Sequence, residues 1–285
     1  MTAAARLRAA SASPAGYRHE LKVRRMDFEF DDDIPEYWFD NDPFKTLLLS
    51  AMSGGFPEGE RFFIESVRHY QDRITDPELR EAIRAFIGQE GHHSKEHKGL
   101  NEFLTRRGLP IDKIDRNVGM FMRWMRKNLS PERQLAHTVA VEHFTAILSE
   151  LYMLNSETLA KMDPRMARVW AWHAVEEAEH KAVAFDVYKQ TVDNEWVRLS
   201  EMAMVTLLFV GFTSYDVYRL LSRRGLAGDW RLWLRATNEM WGVPGHFRKL
   251  IPAYFSYYRR GFHPSHIDAS AKLAKIKAEY LGAKA

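Results

Sequence analysis

The run Trp170-Ala171-Trp172-His173-Ala174-Val175-Glu176-Glu177-Ala178-Glu179-His180 constrains this chain more than any other stretch. It holds no Gly or Pro and little β-branching, so it reads as helix. At 3.6 residues per turn, Val169, His173, Glu177, His180, Ala184 and Val187 fall on one stripe. The ends of the stripe are apolar and its middle is two imidazoles and a carboxylate. A buried carboxylate without a partner is costly. For Glu and His at i, i+3, with another His one turn earlier, the natural partner is a metal ion.

A matching pattern lies upstream. Asp76-Pro77-Glu78 caps a helix that runs to Arg107, where Gly108-Leu109-Pro110 ends it. Leu79, Ile83, Phe86, Glu90, His93, His97 and Leu104 share one face, so Glu90 and His93 form a second Glu-x-x-His inside an apolar stripe. A helix from Pro57 to about Ile74 precedes it, and a short helix over 44–52 stops at Gly54-Gly55. A crossover of about 20 residues follows, with a short helix near Val118 to Arg126. Ser130-Pro131 starts a third long helix, reaching about Leu154, with Glu142 as the carboxylate of its stripe. Asp163-Pro164 starts the fourth, ending near Thr191.

Helix geometry selects the remaining ligands. In an antiparallel hairpin, residues equidistant from the turn sit level. Glu60 and Glu90 each lie fifteen residues from Thr75; Glu65 would be off level by roughly 7–8 Å. Glu142 and Glu177 lie eighteen and seventeen residues from Ala160, whereas Glu150 would miss by roughly 10 Å. The expected layer is therefore Glu60, Glu90, Glu142 and Glu177 with His93 and His180 beside them; His173 is a further ligand candidate that could instead be a core or supporting histidine, and His97 a weaker one. His92 and His143 read as structural or exposed. Glu176 and Glu179 read as ion-pairing residues, with Glu176 also able to orient a ligand His. Glu96 reads as part of a solvated face.

Two helical hairpins joined by one long crossover, with a Glu from each of two helices and Glu-x-x-His from the other two, resemble the carboxylate-bridged dimetal site of ferritin-like four-helix bundles. The extra His173 resembles the di-iron N-oxygenases of p-aminobenzoate-type arylamines. The wording around Gly59-Glu60-Arg61, Gln89-Glu90-Gly91-His92-His93 and Trp172-His173 through Lys181 also resembles a bacterial family catalogued as "predicted metal-dependent hydrolase". These likenesses cover about Phe44 to Tyr188. They imply an all-α bundle holding two metal ions: Fe/Fe first, with Mn/Fe, Mn/Mn or Zn as alternatives. Four carboxylates balance two divalent cations, and a neutral His173 leaves that balance unchanged.

The composition fits. With no cysteine among 285 residues, metals must be held by N and O donors, and Fe–S clusters are excluded. A formal charge of +3 does not argue for nucleic acid. No run reaches the roughly 18–20 apolar residues of a spanning helix. Met1 to Tyr17 reads as a frayed tail, with a transit peptide as the alternative. Phe28 to Pro43 is an acidic, aromatic extended arm.

From Glu195 the character changes. Trp196 to Leu221 is an apolar helix, and Arg219 to Arg260 carries nine Arg/Lys against two acids. Such a mixture suits an interfacial membrane patch. It also suits helices that cap the bundle and wall a substrate tunnel, which is the expectation here. Lys272 to Ala285 reads as a tail helix or a disordered end.

The expected organisation is thus a tail and arm (1–43), a bundle (44–194) and C-terminal helices packed on it (195–285). The expected activity is O2-dependent oxygenation of a mostly apolar small molecule, with an electron donor, in the cytoplasm or at a membrane surface, in a chain able to dimerise. A dimetal hydrolase is the alternative, and an iron-handling ferroxidase a second one.

Overall fold

In the four bundle helices the same device recurs at the start: an acidic or hydroxyl N-cap followed by proline. The computed structural model, which describes residues 21–282, shows each of these caps in place. Asp42 accepts from Lys45 N–H to open α1 (Pro43–Arg68). Asp76 accepts from Glu78 N–H to open α2 (Pro77–Arg106). Ser130 opens α4 (Pro131–Leu148), and Asp163 opens α6 (Pro164–His180). The cap satisfies an orphan N–H, and Pro at the first helical position loses none that the helix would use.

The crossover between the hairpins is itself a helix, α3 (Ile111–Asn128), longer than the short segment expected from the sequence. After α4 come a π-helical turn, Ser149–Met153, and the single turn α5 (Ser156–Leu159). The fourth bundle helix is interrupted at Lys181–Ala182 and continues as α7 (Val183–Thr191). Beyond it lie α8 (Glu195–Arg223), α9 (Trp230–Trp241), α10 (Ile251–Ser256) and α11 (Ser270–Ile276). The chain is an all-α bundle; the one β-type pairing among the described residues is an isolated bridge, Phe39 with Met162. The tail at Met1 to Tyr17 and the last three residues lie outside the described residues.

The largest departure from the sequence reading is α1. Residues 44–52 and the segment after Pro57 are one helix, which passes through Gly54, Gly55 and Pro57. Pro57 has no N–H for the carbonyl four residues back, that of Ser53, which is the usual reason a helix breaks there. Here Asn101 Nδ2 donates to the Ser53 carbonyl at 2.9 Å and replaces the missing donor. Gly54 lets α3 approach: a Cβ there would stand 3.0 Å from Ile114 Cγ2 and 3.3 Å from Ile111 Cγ2.

Two apolar clusters fill the bundle. One joins Leu47–Leu49, Leu100–Leu104 and Met166–Ala178 with the arm residues Ile34, Trp38 and Phe39. The other joins Phe62–Val67, Leu79–Phe86, Leu135–Ala140 and Val183–Tyr188. α1 and α2 each contribute a segment to both clusters, α6 and its continuation α7 one to each, and α4 to the second, while Tyr152–Leu154 after α4 join the first; Glu60, Glu90 and Glu142 lie between these segments and Glu177 at the end of the α6 segment. The arm lies over α2 and α6, with Phe28 edge-on to Trp172 and Phe30 stacked on Phe103. Of the C-terminal helices, α8 packs on α4 and α1.

Gly54→Val is expected to cost about 1–3 kcal/mol by overpacking against Ile114. Urea unfolding would measure it, and a variant as stable as the parent would mean that α3 is free to move away.

Candidate metal centre

The helix register brings all seven expected residues into one buried layer, none more than 5% exposed. Glu60, His93 and His173 form one group of potential ligands, and Glu90, Glu177 and His180 another; within each group the donor atoms lie within 4.8 Å of one another. Glu142 stands with the second group, its Oε2 3.4 Å from His180 Nε2. Two carboxylates link the groups. Glu90 Oε1 lies 3.1 Å from His180 Nε2, and its Oε2 lies 3.8 Å from His93 Nδ1. Glu177 Oε1 is 3.6 Å from His93 Nδ1, 3.6 Å from His173 Nε2 and 3.7 Å from His180 Nε2. The alternatives set aside by height are elsewhere: Glu65 pairs with Arg126, and Glu150 with Lys181.

The donor set fits metal ions. Both oxygens of Glu60, Glu90 and Glu142, Oε2 of Glu177, both ring nitrogens of His93 and Nε2 of His180 are buried and make no hydrogen bond. So many unsatisfied polar atoms in one apolar interior are costly, and a cation is what satisfies acceptors only.

Surrounding residues aim each imidazole. Behind His173 the chain of donors is anchored on a backbone carbonyl. Because Asn101 Nδ2 donates to Ser53 O, its Oδ1 is left to accept from Ser53 Oγ at 2.7 Å. Ser53 Oγ then accepts from His97 Nδ1 at 2.9 Å, and His97 Nε2 accepts from His173 Nδ1 at 3.1 Å. The lone pair of His173 Nε2 therefore faces the carboxylates. Both nitrogens of His97 are occupied in this chain, so His97 supports His173 and does not join either group of potential ligands.

His180 is set in the same way. Gln89 Nε2 donates to Lys22 O and to Glu179 Oε2, which turns its Oε1 toward His180 Nδ1 at 3.1 Å. His93 turns Nε2 toward Glu176 Oε2 at 3.1 Å and Nδ1 toward the centre. Arg24, from the arm, holds both outer carboxylates: Glu176 at 3.2 Å and Glu179 at 2.7 and 2.8 Å. Hydrogen bonds from His97 and Gln89 thus fix the tautomers of His173 and His180, and Glu176 stands at ion-pair distance from His93.

The sequence reading of Glu176 and Glu179 as ion-pairing residues agrees with this. Arg24, Ser53, Gln89 and Asn101 were missed, because none lies on an apolar stripe beside a motif. The reading of Glu96 as solvated is corrected: it is 4% exposed and accepts from Phe28 N–H of the arm at 2.9 Å. His143 is structural, packed on Tyr257 and Phe262 with Nε2 against Ala253 O.

The layer is not sealed on every side. A cavity of about 320 Å³ begins at Glu60, His173 and Glu177 and ends at Met120, Phe212 and Tyr215, where α3 and α8 meet the surface. Between these ends its wall is largely apolar, with Phe56, Phe63, Phe121, Val141 and Phe209 among the lining residues.

The family described as "Predicted metal-dependent hydrolase" matches residues 22–268, which include the arm, the bundle and most of the C-terminal helices. The chain belongs to that family. No curated protein and no solved structure matches it. The family description and the buried Glu/His layer agree on metal dependence. A Ser–His–Asp arrangement elsewhere, Ser265–His263–Asp186, is a different feature. His263 Nδ1 accepts from Ser265 N–H to cap the turn Pro264–His266, and none of the three lines the cavity.

In the metal-free protein the carboxyls split. Burial, and then the neighbouring Glu90, push Glu60 well up. Burial likewise pushes Glu142 up to about 8, against the pull of His180. Burial also works against Glu90 and Glu177, but His180 and His93 outweigh it and hold both below the ordinary range. His93 and His180 are raised in turn: their carboxylate neighbours outweigh burial. Raised groups hold protons near neutrality that a metal must displace. Metal binding is therefore expected to release protons, and the apparent affinity to rise with pH up to about 8. Competition titrations at several pH values would check the sign; affinity independent of pH would contradict it.

Proposed function

We propose that this chain is a dinuclear metal enzyme that activates O2 and oxygenates a mostly apolar small molecule. The observation that carries the reading is a layer of four carboxylates and three histidines at the inner end of an apolar cavity. Glu60, His93 and His173 would hold one metal ion, and Glu142, Glu177 and His180 the other. Glu90, with one oxygen toward each group, would bridge them.

The metals, two irons in the leading reading, would supply the redox chemistry, the overall balance being substrate, O2, two electrons from an external donor and two protons in, and oxygenated substrate and water out. The protein's own part follows from charge and burial. Four carboxylates neutralise two divalent ions, which blunts their power as Lewis acids and favours a higher oxidation state. His173 adds a donor without charge. Phe56, Phe63 and Phe209 exclude bulk water from the path and offer the substrate an apolar wall.

The family description favours a second reading, hydrolysis of an ester or amide with a metal-activated water. The same cavity would then hold the apolar part of the substrate. An iron-handling role is disfavoured by a cavity far larger than a path for ions requires.

Metal content per chain, followed by optical spectra as O2 meets the reduced protein, separates these readings. The expected result is about two Fe per chain and a transient visible band. Zinc, with turnover in the absence of O2, would transfer the protein to the hydrolase reading. Glu142→Ala is expected to lose roughly one metal per chain; retention of both would remove Glu142 from the ligand set.

A further inference from the structure

The outer end of the cavity opens on a surface that is unusual for a helical bundle. α8 is long and apolar enough to cross a membrane by length and composition, yet only 28% of its most apolar window is buried. Its inner face, with Met202, Val205, Val217 and Leu220, packs on the bundle, so α8 lies along the protein. Its outer face presents Leu207 at 72%, Val210 at 54% and Tyr215 at 56% exposure. α3 continues the patch with Met120 and Trp124, and Phe121 meets Phe212 across the two helices. Scattered apolar residues on a surface are ordinary, but a continuous apolar face of this kind marks an interaction site.

Its charge is one-sided. From Asn117 to Ser130 there is no acid, and Arg123 and Lys127 are exposed one turn from Met120 and Trp124. From Met202 to Arg223 the sole acid is Asp216, 9% exposed, while Arg219 and Arg223 follow the apolar run.

We propose that the α3–α8 face docks on the surface of an anionic lipid bilayer, with α8 lying in the plane of the interface. Apolar side chains then sit among the acyl chains while the flanking Arg and Lys meet anionic headgroups. Two observations favour lipid over a second copy of the chain. Met120, Phe212 and Tyr215 both line the cavity and belong to the exposed patch, so a protein partner would cover the opening, whereas a fluid layer leaves it passable. Pairing the face with itself would also bring two basic surfaces together, with Arg123, Lys127, Arg219 and Arg223 on each and no exposed acid from these stretches to answer them. The inference rests on the preceding reading in taking the cavity as the substrate path, and it deepens that reading: the substrate is a molecule dissolved in the bilayer, entering between α3 and α8.

The test is flotation of the full chain, loaded with metal, with vesicles of phosphatidylcholine alone and of phosphatidylcholine mixed with phosphatidylglycerol. The protein is expected to float with the mixed vesicles and much less with the neutral ones. Leu207→Asp with Val210→Asp, neither of which lines the cavity, should reduce flotation at least about tenfold while metal content stays unchanged. Arg123→Ala with Lys127→Ala should remove the preference for the anionic lipid alone. Trp124 emission should shift to the blue on vesicle binding, and Trp124→Phe should remove that shift. Absence of flotation from either vesicle, or full flotation of the Asp variant, would overturn the proposal. So would a dimer that the Asp variant splits, which would assign the face to a second copy. No turnover enters these measurements, so a wrong choice between oxygenation and hydrolysis leaves them readable.

Discussion

Four carboxylates buried in one layer would repel one another, and each has lost its water. That constraint organises the molecule. Hydrophobic burial above and below the layer is extensive, with side chains from α1, α2 and α6 in one cluster and from α1, α2, α4 and α7 in the other. Yet apolar packing does nothing for a carboxylate oxygen. Metal ions between the two groups would convert the most costly feature of the interior into a set of bonds linking four helices.

The surrounding polar residues make sense only as servants of that layer. None of the three central histidines is left to choose its own orientation. His180 answers to Gln89, His93 to Glu176, and His173 to His97, Ser53 and Asn101. The last of these chains starts at a backbone carbonyl released by Pro57. A residue that ought to break α1 instead fixes which nitrogen of His173 faces the centre. Buried polar networks are favourable only when every member is satisfied, and the carboxylate layer holds the densest group of unsatisfied buried atoms, both oxygens of Glu60, Glu90 and Glu142 among them.

Most of the layer was legible in the sequence because helix geometry is rigid. Rise per residue ranks Glu60 above Glu65 and Glu142 above Glu150 without any tertiary knowledge, and both excluded residues pair with surface or peripheral cations. The three Asp/Ser-Pro starts were legible for the same reason: capping is local. Failures came where the deciding partner is distant in sequence. Pro57 reads as a helix start unless Asn101 is known to supply the missing donor. Glu96 reads as solvated unless the arm is known to lie across it. Lys181–Ala182 interrupts the fourth helix with no Gly or Pro to announce it; Lys181 is engaged there with Glu150 and the Ile267 carbonyl.

Arg24 illustrates what such distance implies. It is separated by 152 residues from Glu176, which stands against His93, and by 155 from Glu179, which holds the Gln89 that orients His180. During synthesis Arg24 emerges before the bundle and Glu176 and Glu179 only with its fourth helix, and bringing them together closes a loop that contains the rest of the bundle. Contacts of such sequence separation form late, after local helices and hairpins have reduced the entropy of closure. The carboxylate layer can therefore assemble while one side is still uncovered, and the arm then closes over it. Order of folding would give metal ions their entry, and the same guanidinium that completes the support of the histidines would end the period of free access.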